Sequence, residues 1–180
     1  PLSLPIDENH PVRPISNYGV SKHTPEHFLR IFSELYGINY MVLRYANVYG
    51  PRQDPRGEGG VVSIFVDRMI NKKEVYIYGD GKQTRDFIYV RDVAEANIKA
   101  LTYTKNDVVN ISTGIGTEVT QLLTKLKIFL GRDIEPIYRE PRPGDITESC
   151  LDNTKAKKLL QWKPEFSLDE GLRETINCVK

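Results

Sequence analysis

Two side chains in the segment Ser16-Asn17-Tyr18-Gly19-Val20-Ser21-Lys22 are of the right types to move a proton. Tyr18 and Lys22 lie four residues apart, so on a helix they share a face, one turn from each other. A free phenol ionises near pH ~10 and is a poor base at neutrality. A neighbouring ammonium favours the phenolate, which makes such a pair a general acid/base couple. The same spacing also occurs in ordinary surface pairs, so spacing alone leaves both readings open. His23 and His27 share the spacing and invite a metal. No third ligand is near them in sequence and Pro25 interrupts them, so no metal site is assigned.

The element that positions Tyr18 and Lys22 is a helix, capped by Ser16 and ended by Gly37. Its apolar face is Phe28, Leu29, Ile31, Phe32, Leu35 and Tyr36. Pro25 removes one helical hydrogen bond and Thr24-Pro25-Glu26 reads as a fresh helix start, so a kink or break is expected near Thr24. Residues 1–15 are proline-rich loop. Tyr40 to Tyr45 is a continuous apolar strand suited to a buried parallel sheet, and Asn47-Val48-Tyr49-Gly50-Pro51 ends it with turn chemistry. A charged, Gly-rich loop over 52–60 leads to a helix from Val61 to Asn71. Short strands follow at 75–78, 86–90, 108–111 and 134–138. Between them Asp92 opens one helix and Thr117 caps another that ends at Gly131. Asp152 starts a short basic helix, and Ser167 with Glu170 is a capping box for the last one.

Strands and helices thus alternate, which predicts an α/β fold with a largely parallel sheet. The 180 residues carry 25 Lys plus Arg against 24 Asp plus Glu, a formal net charge of +1 that gives no reason to expect nucleic acid or a membrane surface. No apolar run approaches the ~20 residues of a membrane span. Cys150 and Cys178 are too few for a disulfide framework, and a reduced, cytoplasmic setting is expected. Nowhere does a strand lead into G-x-G-x-x-G; Gly114-Ile115-Gly116 is a fragment of such a turn. The opening Pro1-Leu2-Ser3-Leu4-Pro5 reads as mid-protein loop, so the chain is expected to be the C-terminal part of a longer polypeptide.

A set of motifs runs through the chain in order. They are Tyr18-Gly-Val-Ser-Lys22, Leu43-Arg44-Tyr45-Ala46-Asn47-Val48-Tyr49-Gly50-Pro51, Tyr78-Gly79-Asp80-Gly81, Arg85-Asp86-Phe87-Ile88-Tyr89-Val90 with Asp92, Arg142-Pro143-Gly144-Asp145 and Trp162-Lys163-Pro164. Together they resemble the extended short-chain dehydrogenase/reductase family of NAD-dependent nucleotide-sugar epimerases and dehydratases. Within that family they most resemble the UDP-hexose 4-epimerases. The resemblance implies the C-terminal part of a Rossmann-like NAD-binding fold plus a small substrate lobe. Residues 1–50 would end the Rossmann half and 51–180 would form mainly the lobe, with 85–112 returning to the Rossmann sheet. An N-terminal segment would supply the Gly-rich turn and the Ser/Thr of the catalytic triad.

The resemblance further implies that Tyr18 is the acid/base, that Lys22 holds the nicotinamide ribose, and that Tyr45 and Ala46 lie beside the nicotinamide. It assigns Asn47, Gly60, Val61, Arg85 and Arg142 to a nucleotide-sugar diphosphate. Tyr78 would pack on the base and Asp145 would accept from the ribose hydroxyls. Ser149 takes a position where a bulkier tyrosine restricts some epimerases, so N-acetylhexosamines are expected to fit. Without the resemblance, Arg85 and Arg142 read as surface salt-bridge partners and Asn47 as turn chemistry. The implied reaction is NAD-dependent epimerisation at C4 of a UDP-hexose through a transient 4-keto sugar, with this segment alone inactive. The alternatives are a nucleotide-sugar 4,6-dehydratase or a non-catalytic nucleotide-sugar-binding fragment. A homodimer is implied for the longer protein.

Overall fold

In the computed structural model, residues 1–56, 59–142 and 144–179 are described. The elements in chain order are α1 (Asn17–Tyr36), β1 (Met41–Tyr45), β2 (Asn47–Tyr49), α2 (Val61–Ile70), β3 (Tyr76–Tyr78), β4 (Thr84–Tyr89), α3 (Val90–Ala100), β5 (Asp107–Ile111), β6 (Gly116–Glu118), α4 (Val119–Leu130), β7 (Ile137–Arg139), α5 (Thr154–Leu160) and α6 (Leu168–Asn177). The alternation is that of an α/β protein. Among the described residues, no helix is long and apolar enough to cross a membrane.

Three pairings are parallel. β1 runs beside β5 from Met41–Asp107 to Tyr45–Ile111, β2 beside β4 from Asn47–Phe87 to Tyr49–Tyr89, and β3 beside β7. Ala46 is the switch between the first two: its amide still donates to the Ile111 carbonyl at 3.0 Å, and one residue later the chain pairs with β4. The start of β4 pairs antiparallel with β6, Thr84 opposite Glu118.

Two apolar clusters follow from this arrangement. The first packs Tyr49, Phe87 and Tyr89 against Phe65 and Met69 of α2, Leu122 and Leu126 of α4, and Leu172 and Ile176 of α6. The second gathers Ile88, Val109 and Ile111 with Val93 and Ala96 of α3, Ala156 and Leu160 of α5, and Trp162. Asp92 joins the two. Its carboxylate accepts from the Glu165 and Phe166 amides at 2.9 and 3.3 Å, while its carbonyl accepts from the Trp162 indole at 2.9 Å.

Several local expectations need correction. α1 is one uninterrupted helix through Pro25, with no break at Thr24. The Thr24 hydroxyl bonds back to the Val20 carbonyl at 2.8 Å instead of capping a new helix. Asn47–Tyr49 is strand, not turn, because β4 supplies its ladder partners. Asp92 sits inside the first turn of α3, which starts at Val90. Thr117 lies in β6, and Glu118 with Gln121 forms the capping box of α4. The Ser16 cap, the left-handed Gly37 and the Ser167–Glu170 box are as the sequence predicts. The apolar stripe of α1 is present but uncovered: Phe28, Ile31, Phe32, Leu35 and Tyr36 are all exposed, and no residue of the helix is buried.

Candidate functional site

Four segments converge on an open cleft of about 890 Å³. Asn47 enters from the start of β2, Gly60 and Val61 from the start of α2, Tyr78 from the end of β3, and Arg85 from β4. Arg142 and Asp145 close the rim from the loop after β7. The volume lies within the ~300–1,000 Å³ typical of ligand pockets.

Each wall has a local cause. α2 has Gly60 as its N-cap and no side-chain cap, so its first amides are open to an acceptor outside the helix. Tyr78 ends β3 because the chain turns sharply at Gly79 and Gly81, both left-handed (φ 77° and 79°). A Cβ at Gly81 would stand 2.5 Å from the Thr120 methyl carbon, so the turn can press against α4 only as glycine. The Gln83 amide then donates to the Tyr78 carbonyl at 2.8 Å and ties the turn to β4.

The cationic groups are held in place. Arg85 donates to the Asp145 carboxylate at 2.5 Å and to the Thr84 carbonyl at 2.8 Å. The Arg142 guanidinium lies over the Tyr78 ring, 3.9 Å from its centroid. Contact with that guanidinium and its charge hold the Tyr78 phenol below the ordinary tyrosine range. Two fixed guanidinium groups, an aromatic face and open helix amides form a donor set suited to phosphate oxygens beside a planar ring.

Behind Arg85 lies a carboxylate that the sequence reading did not single out. Asp86 is fully buried and accepts from the Thr113 amide (2.9 Å) and hydroxyl (2.6 Å), the Gly114 amide (3.0 Å) and the Leu151 amide (3.4 Å). Burial pushes its carboxyl above the usual range, against the pull of those donors. It joins β4 to the 147–151 segment, where the Thr84 amide donates to the Thr147 carbonyl and the Ser149 amide to the Thr84 carbonyl. The only sequence signal was a charge inside the apolar run Arg85-Asp86-Phe87-Ile88-Tyr89.

Thus Asn47, Gly60, Val61, Tyr78, Arg85, Arg142 and Asp145 share one cleft, while Tyr18, Lys22, Tyr45, Ala46 and Ser149 are not part of its wall. Tyr18 and Lys22 stand together on the first turns of α1, with the Lys22 Nζ 5.2 Å from the Tyr18 ring centroid and the ring 60% exposed. Ile15, two residues before the helix, lies near Gly144 of the loop that carries Arg142 and Asp145, where an added Cβ would stand 4.0 Å from its side chain, and Ser16 caps α1 by accepting from the Gly19 amide at 3.1 Å. The Tyr45 hydroxyl donates to Asn97 on α3 at 3.0 Å, and Ala46 packs on the second cluster. Ser149 is half-buried beside Thr84. The loop residues Gly57 and Glu58, and Pro143 of the Arg142-Pro143-Gly144-Asp145 motif, lie outside the described residues. Asp54 to Arg56, Asp67, Arg68 and Tyr76 also line the cleft, although the sequence marked 52–60 only as a loop and left the other three without a site role.

Comparison with known proteins bears on the arrangement. A family model described as GDP-mannose 4,6 dehydratase matches residues 1–175. A UDP-glucose 4-epimerase from Thermotoga maritima, solved with UDP-glucose, is 53% identical with a TM-score of 0.90 over 93% of this chain and 54% of its own. A UDP-N-acetylglucosamine 4-epimerase from Methanobrevibacter ruminantium, solved with UDP-N-acetylmuramic acid, is 37% identical with a TM-score of 0.93, covering 98% of this chain and 57% of its own. The UDP-glucose 4-epimerase of Thermus thermophilus, in complex with NAD, is 39% identical with a TM-score of 0.89, covering 96% and 56%. The chain therefore spans little more than half the length of the proteins it matches. With a family model covering nearly all of its residues and the same fold shared at up to 53% identity, the chain belongs to the NAD-dependent epimerase/dehydratase family of extended short-chain dehydrogenases/reductases.

Proposed function

We propose that this chain provides the UDP-sugar-binding part, and the acid/base tyrosine, of a C4 epimerase acting on a UDP-hexose. The observation that carries the reading is the convergence of Arg85, Arg142, Tyr78 and the α2 amides on one cleft. The arginines and the amides of Gly60 and Val61 bind the diphosphate, Tyr78 packs on the base, and Asp145 accepts from the ribose hydroxyls. Relatives solved with UDP-glucose and with NAD support the substrate class and the cofactor.

Tyr18 takes the proton from the sugar 4-hydroxyl and returns it after the 4-keto sugar has turned over in the site. Lys22 sits against the Tyr18 ring and orients it. Bound NAD would supply the hydride acceptor and donor for C4, with Tyr18 and Lys22 holding its nicotinamide ribose. The exposed Tyr18–Lys22 pair fits a nicotinamide ribose edge, and on the family resemblance Tyr45 and Ala46 at the end of β1 are assigned beside the nicotinamide. No G-x-G-x-x-G turn occurs in the 180 residues, so the pyrophosphate of the dinucleotide needs amides from elsewhere in a longer protein. We accordingly divide the protein into a Rossmann half containing 1–50 and a lobe made mainly of 51–180, with 85–112 returning to the Rossmann sheet. The longer protein is taken to be homodimeric and cytoplasmic. On the family resemblance Ser149 stands where a bulkier tyrosine restricts some epimerases, and on that ground we take UDP-N-acetylhexosamines to be substrates too; a full-length enzyme that turns over UDP-glucose but not UDP-N-acetylglucosamine refutes this point.

Calorimetric titration of the 180-residue chain with UDP tests the cleft. Saturable 1:1 binding is expected, with neither turnover of UDP-glucose nor NAD retained through purification. Absence of UDP binding overturns the assignment of the cleft.

A further inference from the structure

A separate cluster on α1 has no part in the cleft chemistry. His23 and His27 project together, their Nε2 atoms hydrogen-bonded to each other at 3.0 Å and their rings inclined at 76°. Pro25 lies between them without breaking the helix, so the four-residue spacing holds and, of the two objections drawn from the sequence, the interruption by Pro25 falls away while the missing third ligand stands. Two imidazole nitrogens bound side by side to one metal, each at about 2.0–2.1 Å, stand roughly 3 Å apart. The free pair already has that separation.

The surroundings orient the donors. His23 Nδ1 is 3.6 Å from a Glu26 carboxylate oxygen, too far for a hydrogen bond but close enough to favour the ring proton on that nitrogen. The His23 Nε2 lone pair then accepts from the His27 Nε2–H, and a metal would take the place of that shared proton. Glu26 is itself fixed by a two-point pairing with Arg44, at 2.9 and 2.7 Å, so the carboxylate cannot swing in as a third ligand. Among the described residues no group of three or more His, Cys, Asp or Glu side chains forms a metal cage, which leaves two protein ligands and water in the other positions. An all-imidazole pair selects late first-row divalent ions, Cu²⁺ above Ni²⁺ and Zn²⁺, and does not suit the oxygen-seeking Ca²⁺ and Mg²⁺.

We propose that His23 and His27 form a two-histidine site for a divalent transition-metal ion, clamping α1 across Pro25. Pro25 has no amide proton, so the Ser21 carbonyl lacks its helical partner in this turn. A chelate from 23 to 27 braces that turn, on the same helix that presents Tyr18 and Lys22.

The test uses tag-free protein stripped of metal with a chelator, then titrated with CuCl₂ and followed by calorimetry and electron paramagnetic resonance. One Cu²⁺ per chain with nitrogen hyperfine coupling is expected, together with a rise in melting temperature. His27→Gln and His23→Gln should each weaken binding at least tenfold while helical circular dichroism is retained. His10→Gln and Cys178→Ser should bind Cu²⁺ as the unmodified chain does. Undiminished binding by the folded His27→Gln and His23→Gln variants, or no saturable Cu²⁺ binding at all, overturns the site.

Discussion

Arg85 and Asp145 stand 60 positions apart in the chain and meet at 2.5 Å, the arginine 15% exposed and the aspartate 40%. The free cleft thus keeps its phosphate-seeking cation in a single geometry, on a carboxylate that remains reachable by solvent. Charge-assisted hydrogen bonds contribute about 1.5–3 kcal/mol each. Arg85→Gln is therefore expected to weaken UDP binding about 10- to 100-fold, read by calorimetry, while the fold is retained because Asp145 can rehydrate. UDP affinity unchanged in Arg85→Gln would remove this arginine from the site.

Glu26 and Arg44 form the charged strut between α1 and β1, on a helix that buries none of its residues. The Arg44 guanidinium, bonded to both carboxylate oxygens, holds Glu26 below its ordinary value of 4.5. A carboxyl lowered on folding stabilises the protein above its ordinary pKa, and that contribution disappears as pH falls through the folded-state value. Glu26→Gln should cost about 1–3 kcal/mol at pH 7, partial burial placing it below the ~3–5 kcal/mol of a fully buried pair. The difference from the unmodified chain should shrink on acidification to pH 3. Urea denaturation at the two pH values checks both parts, and equal stability at pH 7 would show that the pair contributes nothing.

Asp86 links the strand that carries Arg85 to the segment that leads back to Asp145. Asp86→Ala takes the acceptor from the half-buried Thr113 and Leu151 amides and from the Gly114 amide, which solvent can reach; at ~1–3 kcal/mol for each unsatisfied buried group, a loss of about 2 kcal/mol or more is expected. UDP affinity should fall as well, although Asp86 does not line the cleft. A variant that loses stability but binds UDP normally would separate Asp86 from positioning of the site.

Gly171 lies inside α6, where alanine ordinarily improves a helix by up to ~1 kcal/mol. Here a Cβ would meet the Tyr49 hydroxyl at 2.1 Å, and that ring is buried and bonded to the Leu168 carbonyl at 3.3 Å. Overpacking costs about 1–3 kcal/mol, so Gly171→Ala should destabilise. Tyr49→Phe should recover part of the loss in a double-mutant cycle. Simple additivity of the two changes would contradict the clash.

Much of this was legible in residue order. Ser16 and Gly37 marked both ends of α1, and the strand–helix alternation marked the fold class. The cleft residues drawn from the motif set meet in space. What escaped was non-local. β2 looks like a turn because Asn47, Gly50 and Pro51 have turn chemistry, while its ladder comes from Phe87–Tyr89 far along the chain. Pro25 has a strong local preference against helix interiors, yet the helix continues, and Thr24 back-bonds into it. Asp86 takes its role from donors at 113, 114 and 151, which no local pattern reveals. The apolar stripe of α1 was plain in the sequence, but sequence pattern does not show what covers it.

The most direct measurement follows UDP-glucose and UDP-galactose by nuclear magnetic resonance in the full-length protein, with NAD supplied, before and after Tyr18→Phe. Interconversion in the unmodified protein, lost by at least 100-fold in Tyr18→Phe with UDP affinity unchanged, is the expected result, the low end of the ~10²–10⁴ attributed to general acid–base catalysis. Interconversion that survives Tyr18→Phe, or its absence in the unmodified protein, contradicts the assignment of Tyr18 as the acid/base of a UDP-hexose 4-epimerase.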